Sequence, residues 1–90
     1  MEESYTVPTI VHVVSEAGIP TRTDPSYVDH VRRYVKKKQL FKKSREFYRV
    51  PESKLETLFE GMGWNITLDQ FLMKYEEMGL DRESEEIKDQ

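Results

Sequence analysis

The sequence predicts a mainly α domain with one small β-hairpin, and three observations lead there. Apolar residues recur at three- and four-residue steps in four separate stretches, the period of a helix with one buried face. Caps, early prolines and terminal glycines bracket most of those stretches. Between the second and the third, Leu40-Phe41-Lys42 and Glu46-Phe47-Tyr48-Arg49-Val50 flank the polar tip Lys43-Ser44-Arg45, giving two short extended arms around a turn.

Each element has a local cause. Thr6 is placed to cap a first helix over 7–17, with Pro8 in its first turn, Ile10, Val11, Val14 and Ala17 on one face, and Gly18 as the stop. After the turn-like Ile19-Pro20-Thr21-Arg22-Thr23, the pair Asp24-Pro25 supplies a cap and a proline at the first helical position, so a second helix should run over 25–39. Tyr27 or Val28, Val31, Tyr34 and Val35 form its inward stripe, leaving Ser26, Asp29, His30, Arg33, Lys36 and Lys37 on or near the other side. Phe47 and Tyr48 must point to opposite faces of their strand. Pro51 ends the hairpin, and Ser53-Lys54-Leu55-Glu56 fits a capping box for a third helix whose stripe is Leu55, Leu58, Phe59 and Met62, ending near Gly61 or Gly63. Trp64 reads as a core plug in the following turn. A second box, Thr67-Leu68-Asp69-Gln70, opens a fourth helix with Leu68, Phe71, Leu72, Tyr75 and Met78 on one face and Gly79 beyond it.

A chain of 90 residues that is 37% hydrophobic can bury one modest core. A single domain is therefore expected over residues 1–80, followed by an acidic, frayed end at 81–90. The charge is uneven. From Arg22 to Arg49 there are ten Lys or Arg against three acids, within a chain whose net charge is -3. Residues 1–50 carry net +4 and residues 51–90 net -7, so the acidic pI conceals a basic half that suits a partner rich in phosphates.

Several chemistries find no footing. With no cysteine, neither a disulfide framework, a thiolate zinc site nor a cysteine nucleophile can form. His12 and His30 fall on different predicted helices, without acids at metal-ligand spacing, so no metal is expected. No glycine-rich phosphate loop or Gly-x-Ser-x-Gly occurs, and the acidic pairs Glu76-Glu77 and Glu85-Glu86 are adjacent rather than opposed across a cleft. Neither a cofactor nor enzymatic activity is expected. The apolar stretches Val7 to Val14 and Ile66 to Met73 fall well short of the roughly 20 residues a membrane helix needs. Met1-Glu2-Glu3-Ser4 lacks the positive leader of a secretory signal, so a cytoplasmic location is expected.

The order of helix, turn, cationic helix, hairpin and helix is that of a winged helix-turn-helix domain. Val31-Arg32-Arg33-Tyr34-Val35, Leu40-Phe41 and Arg45-Glu46-Phe47-Tyr48-Arg49-Val50-Pro51-Glu52-Ser53 resemble the excisionase group of the MerR-like superfamily, especially small phage excisionases, over residues 5–59. The resemblance implies binding to double-stranded DNA, with the second helix in the major groove and the wing against the adjacent minor groove or backbone. It also implies cooperative assembly on DNA and an architectural or regulatory role, as an excisionase, a repressor or a plasmid-partition adaptor. The sequence departs from that pattern in the longer stretch Gly18 to Pro25 and in the acidic fourth helix beyond Gly63. That helix is too short for the long coiled coil through which MerR regulators dimerise.

On this reading Ser26, Tyr27, Asp29, His30 and Arg33 are placed to read bases, and Arg22, Arg32, Lys36, Lys37, Lys42, Lys43, Arg45 and Arg49 to hold phosphates. The plainer alternative is that a Lys-rich run is a solvated face. A different class of function is a protein–protein adaptor using the same scaffold. Self-association, to a homo-oligomer or with another protein, is expected to use Phe71, Leu72, Tyr75 and Met78.

Overall fold

A computed structural model describes residues 3–44 and 47–79. Four helices and three strands follow in the order β1 (Ser4–Thr6), α1 (Val7–Glu16), α2 (Pro25–Lys37), β2 (Lys42–Ser44), β3 (Phe47–Pro51), α3 (Glu52–Met62) and α4 (Leu68–Glu77). The mainly helical class and the hairpin are as the sequence predicts. The hairpin tip residues Arg45 and Glu46, and the acidic end 81–90, lie outside the described residues.

β1 was not expected from the sequence. It pairs antiparallel with β3 in the register Ser4 to Pro51, Tyr5 to Val50 and Thr6 to Arg49. On its other side β3 pairs with β2, Lys42 opposite Arg49, Lys43 opposite Tyr48 and Ser44 opposite Phe47. The hairpin is therefore two strands of a three-stranded sheet in the order β1-β3-β2. As its central strand, β3 is covered on both sides, and the neighbours Arg49 and Val50 are both buried.

Helix boundaries follow the local signals with two exceptions. Thr6 is the N-cap of α1, but its hydroxyl donates to Thr9 Oγ1 at 2.9 Å instead of capping the backbone. The box expected at Ser53 does not open α3: the N-cap falls two residues earlier, at Pro51, with no capping side chain. The Thr67 box does form. Gln70 N–H donates to Thr67 Oγ1 at 3.1 Å and Thr67 N–H donates to Gln70 Oε1 at 2.9 Å, satisfying two otherwise orphaned donors.

Helix C-termini turn through the left-handed region. Gly18 at φ 93° and Gly63 at φ 75° do this for α1 and α3 without a Cβ to clash. At the end of α2 the same job falls to Gln39, at φ 54°. Leu40 N–H donates to Val35 O at 2.9 Å and Gln39 N–H to Lys36 O at 3.2 Å, the paired bonds of a Schellman turn, with Leu40 and Val35 both buried.

The core is one cluster drawn from every helix and from the sheet. Within it Tyr5 of β1 meets Phe71 and Tyr75 of α4 edge-on, at 5.4 Å and 5.0 Å between centroids. Phe59 of α3 continues the aromatic contact to Phe71 at 5.6 Å. Tyr34 of α2 is half-buried and lies over Gly61 of α3, where an added Cβ would overlap the ring and its hydroxyl. Among the described residues no helix is long and apolar enough to cross a membrane.

Two stability predictions follow from these geometries. Gln39→Gly should raise the urea midpoint, since a left-handed residue with a Cβ costs about 1–2 kcal/mol and glycine returns roughly half of that as extra unfolded-state entropy. An unchanged or lower midpoint would contradict the strain. Gly61→Ala should destabilise by about 1–3 kcal/mol through overpacking, despite alanine's better helix propensity of roughly 1 kcal/mol. In a Tyr34→Ala background the same change should become stabilising, and a double-mutant cycle by urea unfolding reads the reversal.

Candidate functional site

The candidate site is the outer face of α2, and it begins with how the helix is started. Asp24 is the N-cap, its carboxylate accepting from Tyr27 N–H at 3.3 Å, and Pro25 occupies the first helical position. The same carboxylate is gripped by Arg22, whose Nε and Nη2 reach its two oxygens at 2.8 and 3.0 Å. Desolvation raises the Asp24 pKa, but the hydrogen bonds and charge of Arg22, with the backbone N–H groups, outweigh it and hold the carboxyl below its usual range.

Val31 and Val35 are buried, and the side of α2 opposite them is set by the same periodicity. Ser26, His30, Arg33 and Lys37 follow one another at steps of four, three and four residues, and all are exposed. No acid lies in that row. Lys36 is exposed beside it. Asp29, which the sequence placed among the readers, is exposed on the same side of the helix, four residues before Arg33, and binds Arg32 Nη1 at 2.7 Å. Among the described residues Arg33, Lys37, Lys38 and Lys42 take part in no ion pair. Lys38 was not among the predicted site residues. As the C-cap beyond the last turn it is exposed and adds to the same cationic end.

The structure divides the remaining predicted residues. Lys42 is exposed on β2, and Lys43 lies in the same strand opposite Tyr48. Arg45 is outside the described residues. Arg49 does not join the exposed cations: it is 7% exposed, with Nε donating to Ser4 Oγ at 3.0 Å and Nη2 to Ser4 O at 3.2 Å. Its place on the central strand turns its guanidinium to β1 and makes it a cross-strand fastener.

Tyr27 also changes role. It is half-buried, and its hydroxyl accepts the indole N–H of Trp64 at 3.1 Å. Trp64 is only 6% exposed, so this bond provides the partner a buried indole requires. Tyr27 therefore fixes the first turn of α2 to the segment after α3, and its ring lies 6.0 Å from that of His30. A contact 37 residues apart has no local signature in sequence.

The residues expected to mediate self-association are mostly core. Phe71 and Tyr75 are buried against Tyr5, while Leu72 and Met78 are half-buried on the same cluster. Those rings cannot serve an interface without pulling α4 off the domain. The outward side of α4 instead presents Met73, which is 67% exposed.

Set against protein-family models, curated proteins and solved structures, the chain matches none.

Tyr27→Phe should leave the Trp64 indole N–H buried without an acceptor and lower stability by about 1–3 kcal/mol. Urea unfolding followed by Trp64 fluorescence measures it, the chain having a single tryptophan. A stability unchanged within error would show that the bond contributes nothing.

Proposed function

We infer that the chain binds double-stranded DNA as a winged helix-turn-helix protein of the excisionase-like kind, in an architectural or regulatory role. The reading rests above all on the outer face of α2, where Ser26, His30, Arg33 and Lys37 are exposed opposite the buried Val31 and Val35 and the one acid among them, Asp29, is paired with Arg32. A 13-residue helix is about 20 Å long, and its side-chain-bearing width suits a major groove about 12 Å wide. In that setting Ser26, His30 and Arg33 face base edges. Arg33 is the residue suited to paired hydrogen bonds with guanine, and Lys36, Lys37 and Lys38 neutralise phosphates at the far end.

The hairpin supports the same reading. The β2–β3 pair follows α2 directly, carries Lys42 and Lys43, and is fixed to the body of the domain through β1. A basic hairpin so placed acts as the wing, contacting backbone beside the groove that α2 occupies. Arg22 and Arg32 retain the capacity for phosphate contacts only by sharing their guanidinium groups with Asp24 and Asp29.

Binding to duplex DNA, followed by fluorescence anisotropy, should weaken steeply with salt, the logarithmic slope being about -0.9 for each phosphate neutralised. Arg33→Ala with Lys37→Ala should reduce that slope by about 2 and weaken binding throughout, whereas Arg33→Ala alone should also relax sequence preference at one base pair. No binding by the wild type even at low ionic strength would sink the reading.

A further inference from the structure

We propose that the outer face of α4 is a docking surface for the cationic α2 face of a second copy of this chain, giving a head-to-tail contact between molecules. On α4, Phe71 and Tyr75 point into the core, so the opposite side is centred on Met73. Asp69 and Gln70 lie four and three residues before Met73, and Glu76 and Glu77 three and four residues after it, all exposed. Met73 thus projects from a frame containing three carboxylates, one of which, Glu77, is shared with Lys74 at 3.1 Å.

That arrangement discriminates between partners. Two copies of the α4 face brought together would oppose carboxylate to carboxylate, which disfavours the isologous pairing of fourth helices. The α2 face has the complementary sign: Arg33 and Lys37 are exposed on it, Lys38 and Lys42 are exposed beyond its C-terminal end, none of the four in an ion pair among the described residues, and its one acid, Asp29, is engaged by Arg32. Its lysines have long methylene stems that cover apolar surface while their ammonium groups meet carboxylates, and methionine is the apolar side chain that adapts best to such a lining. Because α2 and α4 are both packed against α1, a single chain cannot bring the two faces together, and the contact forms only between copies. A heterologous contact of this kind repeats, producing a ring or an open chain of molecules.

The contact depends on charge and not on the DNA reading. Sedimentation velocity should show association that grows with protein concentration at about 20 mM salt, where exposed charges act over tens of ångströms, and a monomer at about 0.5 M, where screening shortens their reach to a few. Two charge-swapped proteins complete the test: Asp69→Lys with Glu76→Lys on α4, and Arg33→Glu with Lys37→Glu on α2. All four positions are exposed, and circular dichroism melts confirm folding. Each swapped protein alone should associate at least about tenfold more weakly than wild type, because like charges now meet. An equimolar mixture of the two should regain association, since each then meets its opposite. A wild type that stays monomeric at low salt overturns the proposal. So does either swapped protein associating as well as wild type, or a mixture that fails to reassociate. The α4-swapped protein keeps an intact α2, so its anisotropy with duplex DNA tests DNA binding separately from self-docking.

Discussion

Tyr5 stands where four elements meet, and the placement of the rest follows from it. Its backbone pairs with Val50, joining β1 to β3, and its ring enters the core against Phe71 and Tyr75 of α4. Its hydroxyl reaches Glu3 at 3.3 Å and Glu52, the first residue of α3, at 3.4 Å. Burial, reinforced by those two carboxylates, raises the phenol pKa, so the group remains a donor across the ordinary pH range. α1 begins two residues later at Val7, so the strand that seats the ring also sets where the first helix starts. Removing the ring would open a cavity between sheet and α4 and leave β1 held by hydrogen bonds, those of its backbone and those from Arg49 to Ser4, without its buried apolar anchor.

That junction decides the fate of the hairpin. A two-stranded hairpin is marginal in water by itself, whereas a third strand and a packed face make it persistent. β1 provides the third strand, and Arg49 reinforces it by reaching across to Ser4. One of the ten cations between Arg22 and Arg49 is thereby used for architecture, and two more, Arg22 and Arg32, are engaged by Asp24 and Asp29. The raw count of positive charge therefore overstates the cationic surface. What remains is more sharply located than the sequence suggested, on one row of α2, its C-terminal end and β2.

Most helices were legible because each is announced within a few residues. Asp24-Pro25 and Thr67-x-x-Gln70 are complete local devices, and the buried stripes of α2 and α4 need only their own periodicity to be recognised. Apart from the two caps that did not form at Thr6 and Ser53, the failures share a physical cause, which is dependence on distant partners. Ser4–Thr6 becomes a strand only because β3, some 45 residues away, offers it an edge, and three residues carry no alternation that could be read. Arg49 looked exposed because strand alternation assumes one wet face, and β3 has none at that point. The row Ser26, His30, Arg33 and Lys37 was visible in the sequence. The bond that ties Tyr27 to Trp64, 37 residues apart, was not.

The charges of α2 are ordered along its axis as well as around it, and this bears on what the outward row is for. Asp24 sits at the positive end of the helix dipole and Lys36 and Lys37 at its negative end, placements that favour the helix. Those residues therefore have a reason to be where they are without any ligand. Arg33 has no such reason. It lies mid-helix, opposite the buried valines, and pairs with no carboxylate among the described residues. Solubility does not account for it either, because the chain is already net negative and an added acid improves solubility more than an added base. A mid-helix positive charge exposed opposite the buried valines, whose one acidic neighbour at i−4, Asp29, is engaged by Arg32, is the charge on which the proposed anionic partner chiefly rests. For the proposed binding, Arg33 is accordingly the position where its loss would separate most cleanly from loss of folding.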